Sequence, residues 1–310
     1  MADLDIQFTH DHQEACRLRD AGYEPIECAF GQYGSVLGPL ALDHHGTESH
    51  REGVALRACR DHHGARADDP RFVVTGTPDA DAVLAIVALA DLVPEGAISD
   101  QFYTLVNQHD TDPIGHDLMS TEAGLALAWF NQRPSMSQSA KGFRKAVTDM
   151  VRVLTQGLDA EDERHIRGSD RSRRRRAMEG IVALLDGDGF DVTVPARAEG
   201  LPVRRGDELF AHDGMVLVVK STVWGFDQWY RMAPLVVSFA SRLHKVTVGC
   251  PDVATAERLL GPGGLTAAWK LLGKGWGGRE AIGGSPRGVQ LTLDDARETA
   301  HRLCPLVARP

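Results

Sequence analysis

Aromatic residues make up only 6% of this 310-residue chain, so surfaces that bind by ring stacking are scarce from the outset. Cysteine is equally thin. Cys16, Cys28, Cys59, Cys250 and Cys304 are odd in number and far apart, with no C-x-x-C pair among them. That spacing argues against a disulfide framework or a structural zinc knot and fits reduced thiols in the cytoplasm. No apolar run approaches the ~20 residues of a membrane span, and acidic residues stand near the start where an export signal would be basic. A soluble, cytoplasmic protein is expected. Positive charge is also in the minority, 34 Lys and Arg against 43 Asp and Glu. The formal net charge of −9 argues against generic duplex nucleic-acid binding and against an anionic-membrane binder. No repeat of fixed period is present. The surplus is histidine, 13 residues in all.

From Asp5 to about Pro113, short apolar runs alternate with polar residues that open helix-like stretches, the signature of βα units and a mostly parallel sheet. DIQFTH, PIECAF, VLGPLAL, RFVVTG and YTLVNQ read as strands. Gln13 to Asp20, Glu48 to Cys59 and Ala80 to Leu92 read as helices, the last with Asp79 at its N-cap. Helical patterns dominate from Thr121 to about Leu185, interrupted by the basic run Arg171 to Arg176, which reads as a solvated connector or helix start. After Gly187 the texture turns to short β-like runs (DVTVPA, MVLVVKS, KVTVGC) with Gly-rich turns and a helix from Leu293 to Leu303. The expected architecture is α/β: a sheet domain over 1–120, a helical connector over 121–187 and a smaller α+β domain over 188–310.

The histidines and carboxylates fall in clusters, each just after an expected strand. They are His10-Asp11-His12, Asp43-His44-His45, Asp79 with Asp81, and His109-Asp110 with Asp112. In an open α/β sheet the carboxyl ends of the strands share one edge, where ligands bind. Several carboxylates gathered there would repel one another unless a cation neutralised them. Imidazole with carboxylate suits Mn²⁺, Fe²⁺ or Zn²⁺. The candidate ligands are therefore His10, His12, Asp43, His44, Asp79, Asp81, His109 and Asp110. Taken singly, Asp79 reads as a helix cap, and His50 and His62 as surface residues. His165, His212, His244 and His301 lie outside the clusters and read as structural or surface residues. VWGFDQWYRMAP (Val223 to Pro234), flanked by Lys220 and containing Arg231, reads first as a core or interdomain patch and second as a stacking wall.

LALDHHG (Leu40 to Gly46) resembles the signature of the DHH phosphoesterase superfamily, whose members include manganese-dependent pyrophosphatases and small-oligonucleotide phosphodiesterases. TPDADAVLAIVAL resembles that family's paired-aspartate motif, and GWGGREAIGGS (Gly275 to Ser285) is similar to its C-terminal glycine-rich segment. A second DHH triplet occurs at Asp61-His62-His63. The resemblance implies metal-site roles for Asp43, His44, Asp79 and Asp81, and a mobile second domain closing over a phosphorylated substrate. Gly277, Gly278, Gly283, Gly284 and Ser285 would then meet the phosphate together with Arg279 and Arg287. The sequence departs from the family pattern in three ways. The paired aspartates follow DHH instead of preceding it, the first strand ends in His10-Asp11-His12, and Arg279 stands where the family usually has His.

Two mechanisms follow. In the first, one or two divalent ions, Mn²⁺ or Fe²⁺, support hydrolysis of a phosphoester or phosphoanhydride, with His45 or His109 protonating the leaving oxygen. In the second, histidine-rich ligation of a single Fe²⁺ supports O₂ chemistry on a phosphorylated, nucleoside-like substrate. Either way the partner is a phosphorylated small molecule or nucleotide, and a homodimer is left open. A non-catalytic sensor is disfavoured by the number of candidate ligands.

Overall fold

The computed structural model describes residues 4–30, 33–45, 52–94, 96–111, 118–133, 137–179, 211–212, 215–286 and 289–307. His50, Asp112, Arg287 and the expected strand at 191–196 lie outside them. The chain divides into two compact units, Met1–Arg167 and Gly168–Pro310.

In the first unit, β1 (Asp5–Phe8), β2 (Glu24–Ile26) and β3 (Arg71–Val74) form a parallel sheet in the order β1-β3-β2. The two faces of β3 go to different layers, as strand alternation requires. Val73 meets Ala15 and Leu18 of α1 (His12–Asp20), while Phe72 and Val74 join the main core with α2 (Val54–Asp61) and α3 (Ala80–Leu89). All ten residues of α3 are buried. Its Ala, Val, Leu and Ile residues surround a single charged one, Asp81, and a helix apolar on every side belongs inside a core. Around it pack α4 (Asp100–Thr111), α5 (Glu122–Asn131) and α6 (Ala140–Gln156), so the expected connector helices up to Gln156 are part of this unit.

Two expected strands are not strands. Residues 36–42 run as irregular chain because Pro39 has no N–H to give a ladder, Ala41 sits at φ +51°, and Gly38 lies so close to Glu24 that a Cβ there would be 2.5 Å from Oε1. YTLVNQ lies inside α4, where Phe102 and Val106, one turn apart, are the buried positions and Ser99 Oγ accepts from the Phe102 N–H at 3.2 Å. Three strand ends, not the five expected, therefore reach the carboxyl edge of this sheet.

The basic run also differs from expectation. It lies within one continuous helix, α7 (Ala160–Glu179). The second unit carries a six-stranded sheet ordered β4-β5-β6-β7-β9-β8, built from Ala211–His212, Val216–Ser221, Leu235–Ala240, Lys245–Gly249, Gly277–Gly278 (β8) and Ile282–Gly284 (β9). Only β5 and β6 pair in parallel. α9 (Val253–Leu260), α10 (Leu265–Leu272) and α11 (Leu293–Leu303) cover it through Leu259, Trp269, Leu272 and Leu303. The short α8 (Phe226–Trp229) buries Phe226 and Trp229, so this aromatic segment is mainly core, with Trp224 left 46% exposed. No helix among the described residues is long and apolar enough to cross a membrane.

Candidate metal centre

The carboxyl edge of the three-stranded sheet is where charge is buried. Glu27 follows β2 directly and holds a left-handed backbone, φ +51°, unusual for a residue with a side chain. Its N–H donates to the Leu42 carbonyl at 2.9 Å, which brings the 41–45 segment alongside. Asp43 and His44 thereby enter the interior, with Asp43 wholly buried. Asp81, in the first turn of α3, is 1% exposed. Asp110 arrives from the last turn of α4.

These groups converge on one imidazole. His44 Nε2 lies 2.8 Å from Glu27 Oε1, 3.3 Å from Asp110 Oδ2 and 3.9 Å from Asp81 Oδ2. Two donor sets result, Glu27–His44–His45 and His44–Asp81–Asp110, each with its ligand atoms within 4.8 Å of one another. Ligands bonded to one ion at ~2.0–2.2 Å are separated by roughly 3–4 Å, so both sets have the right scale. Hard oxygen donors with imidazole, and no thiolate, match Mn²⁺ or Fe²⁺ better than a structural zinc site.

Electrostatics point the same way. Burial pushes the Glu27 carboxyl well above the usual range, and the neighbouring Asp79, Asp81, Asp110 and Asp43 push it further. Asp81 is raised to about 8, first by burial and then by Asp110, against the opposing hydrogen bonds from Ala55 and Val54. Burial raises Asp79 too. Asp43 is the exception. Burial pushes it up, but hydrogen bonds from His45 and Ser35 outweigh that and hold it below its ordinary value.

Secondary structure positions each group. The first N–H groups of α2 grip Asp81, Val54 on Oδ2 at 2.7 Å and Ala55 on Oδ1 at 2.9 Å. Gly53 permits that approach, since a Cβ there would lie 2.6 Å from Asp81 Oδ1. From the same helix Arg57 donates to the carbonyls of Ala41 at 2.9 Å and Asp43 at 2.8 Å. Asp43 Oδ1 accepts from the His45 backbone N–H at 2.7 Å and lies 3.0 Å from His45 Nδ1. That contact orients an imidazole whose side chain is 41% exposed.

Of the residues singled out in the sequence, Asp43, His44, His45, Asp81 and Asp110 come together. Asp79 stands beside them electrostatically, but its oxygen caps α3 by accepting from the Ala82 N–H at 3.0 Å, and it belongs to neither donor set. His109 precedes Asp110 on α4 and also belongs to neither. His10 stacks edge-on against Phe8, and His12 opens α1 between the rings of Phe30 and Tyr33. Asp11 caps α1 through the Glu14 N–H at 2.8 Å. The second triplet differs from the first: Asp61 ends α2 at the surface, ion-paired to Arg60 at 2.7 Å. Glu27 was not anticipated, because a lone Glu inside PIECAF reads as part of a strand. A carboxylate among Ile26, Cys28 and Ala29 was the available signal.

In the second unit the glycine segment forms the hairpin of β8 and β9. Gly277 pairs with Gly284 and Gly278 with Gly283. Packing accounts for two of these glycines. A Cβ on Gly278 would lie 2.2 Å from the Gly283 Cα, and one on Gly283 would lie 2.4 Å from both the Gly277 carbonyl and the Trp269 ring. The Arg279 N–H closes the turn on the Ile282 carbonyl at 2.7 Å, and Ser285 Oγ accepts from the Val246 N–H at 3.2 Å.

Comparison with models of protein families, with curated proteins and with solved structures gives no match to this chain.

Proposed function

We infer that this chain is a divalent-metal-dependent hydrolase of phosphoesters or phosphoanhydrides, with its centre in the first unit. One observation carries the reading. Three buried or half-buried carboxylates, Glu27, Asp81 and Asp110, surround His44 in two donor sets that share its imidazole, and a fourth, Asp43, holds His45. Such a cluster is costly for the folded chain alone and suits a cation. Glu27, His44, Asp81 and Asp110 would hold the ion. Mn²⁺ or Fe²⁺ supplies a water of lowered pKa and positive charge to offset what develops on phosphorus.

The chain's own groups supply the proton chemistry. Asp43 holds His45 Nδ1, which fixes the tautomer and leaves Nε2 to carry a proton to the departing oxygen. The α2 N–H groups keep the Asp81 carboxylate in one orientation.

A second reading rests on the other use of His45. Glu27, His44 and His45 are two imidazoles and one carboxylate, the donor complement of mononuclear non-haem Fe²⁺ oxygenases, and Asp43 would then orient a ligand. The chemistry would be O₂-dependent oxidation of a phosphorylated, nucleoside-like compound.

The two readings separate in one set of measurements on the full chain. The hydrolase reading expects phosphate release from nucleotides or polyphosphate with Mn²⁺, abolished by Asp43→Ala. About one iron per chain that binds nitric oxide, with no phosphate released under Mn²⁺, overturns it in favour of iron.

A further inference from the structure

His12 and Tyr33, left without a role by the metal centre, lie at the same sheet edge. The 27–35 segment begins at the ligand Glu27, and at its other end the Ser35 hydroxyl donates to the His45 carbonyl at 3.0 Å. A bridge between Ala29 and Ser35 closes the segment, and inside it the Phe30 N–H donates to the Gly34 carbonyl and the Tyr33 N–H to the Phe30 carbonyl. Both ends are thus tied to residues of the centre. Tyr33 lies only two residues from Ser35, within ~7 Å along the chain.

Between these ends stands a group of rings. His12, which opens α1, meets Phe30 edge-on at 5.6 Å and lies 5.5 Å from the Tyr33 ring with the planes 30° apart. Phe30 is half-buried against the α1 core, whereas Tyr33 is 66% exposed. The group occupies the α1 side of the carboxyl edge, since Val73 of β3 faces α1 while Phe72 and Val74 face α2 and α3. The same edge carries Glu27 after β2 and Asp79 and Asp81 after β3. The wall and the centre thus share one sheet edge and are joined by the 27–35 segment.

An exposed aromatic ring backed by an imidazole offers a flat π-face with a hydrogen-bonding nitrogen beside it. Such a surface recognises planar unsaturated rings irrespective of their substituents, and base–aromatic stacking is a general example. We propose that Tyr33, backed by His12 and Phe30, is the stacking platform for the planar ring of the substrate, which makes the substrate a nucleotide and not a ring-free phosphate or polyphosphate. The proposal rests on the metal-centre reading for the phosphate end only. The ring end stands on the wall itself.

The test compares adenosine 5′-monophosphate with ribose 5-phosphate, which carries the same phosphate and sugar without the base. Both are titrated calorimetrically into the full chain with and without Mn²⁺. The nucleotide is expected to bind at least tenfold tighter than the sugar phosphate in both conditions. Tyr33→Ala should bring it down to the sugar phosphate, Tyr33→Phe should preserve the difference, and the Mn²⁺ isotherm should be unchanged in both variants. Equal binding of the two probes, a difference that survives Tyr33→Ala, or no measurable binding of either overturns the platform. A flat Mn²⁺ isotherm with the nucleotide preference intact removes the metal reading and leaves the platform standing.

Discussion

Two clusters of partly buried charge, one in each unit, obey opposite rules. In the second unit Arg173 bonds Asp227 at 2.9 Å and Asp170 at 2.8 Å, and Arg174 bonds Asp170 at 2.7 Å. Two cations face two anions, and the pKa shifts follow from that pairing. Burial pushes Asp227 up, but Arg173 outweighs burial and holds it below the carboxylate range, while Arg173 itself is raised by its two partners against burial. In the first unit Glu27, Asp81 and Asp110 gather around His44, with Asp43 and Asp79 close enough to act on Glu27. Glu27, Asp79 and Asp81 are driven up instead. The first-unit carboxylates outnumber the cations beside them and these three lean toward protonation, the condition in which the proposed metal ion would bind; in the second-unit network each carboxylate meets an arginine. The solvated reading of the basic run therefore holds only in part, since Arg173 and Arg174 are fastened within their unit.

The largest way to break this contrast is at Asp43. Asp43→Ala leaves His45 without its orienting carboxylate, and the expected loss in Mn²⁺-supported phosphate release is roughly 10²–10⁴-fold. Asp227→Ala should leave the turnover unchanged, as measured by released phosphate on the same substrate.

The pH dependence of stability gives the next effect. Glu27, Asp79 and Asp81 have folded-state pKa values above those of the unfolded chain, so the folded state holds their protons more tightly. Their contribution is fully present below about pH 4 and is lost as pH rises through the folded values, about 8 for Asp81. The metal-free first unit should therefore melt at lower temperature at pH 8 than at pH 5. Mn²⁺ at a hundredfold excess over its Kd should return ~2.7 kcal/mol at pH 8, and much less at pH 5, where protons compete for the same oxygens. Calorimetric melting at the two pH values checks both statements. Equal melting at pH 5 and 8 without metal would mean that the folded chain holds these protons no more tightly than the unfolded one.

Arg57 sharpens the comparison on a smaller scale. It ties the 41–43 backbone to the helix whose first N–H groups hold Asp81, so α2 registers both ligand segments. Arg57→Met should weaken Mn²⁺ binding by ~10–100-fold, the usual range for a residue that orients ligands. Guanidinium added at millimolar concentration should restore part of it. A variant that binds Mn²⁺ normally shows that the loop holds its shape unaided.

How far the sequence reveals this centre depends on the residue. α3 is legible because a ten-residue apolar run has little choice but burial, and Asp81 stands out as the one charge within it. Asp43 and His44 are legible from their composition. The route by which they arrive is not, since 36–42 has strand-like residues but a Pro, a glycine pressed on Glu24 and a left-handed alanine turn it into a loop. Asp110 appears at the right site for the wrong reason: TLV is short enough to pass as a strand, and only the capping by Ser99 and the one-turn spacing of Phe102 and Val106 make it helix. His10 and His12 look like ligands in one dimension, yet the T-shaped contacts to Phe8 and Phe30 turn them to aromatic neighbours. Glu27 is invisible by pattern, because its burial depends on a tertiary contact with Leu42.

The smallest effect tests the comparison most directly, because it predicts a difference of sign. Glu27→Gln mimics the protonated carboxyl that the metal-free protein favours, so at pH 8 it should stabilise the metal-free first unit by about 1 kcal/mol and at pH 5 change little. With Mn²⁺ present the same variant should be the less stable one, since it has lost an oxygen donor of full charge. Asp227→Asn should behave in the opposite way. It leaves Arg173 with one partner fewer, and because a third of the Asp227 side chain is exposed the cost is about 1 kcal/mol, at either pH and with or without metal. Chemical denaturation of the two variants at two pH values, each with and without Mn²⁺, reads all the signs at once. If Glu27→Gln destabilises the metal-free protein at pH 8, its 2.8 Å contact with His44 outweighs the cost of its burial and the repulsion from its neighbours. The first-unit cluster would then be an ordinary ion pair, of the same kind as the network around Arg173.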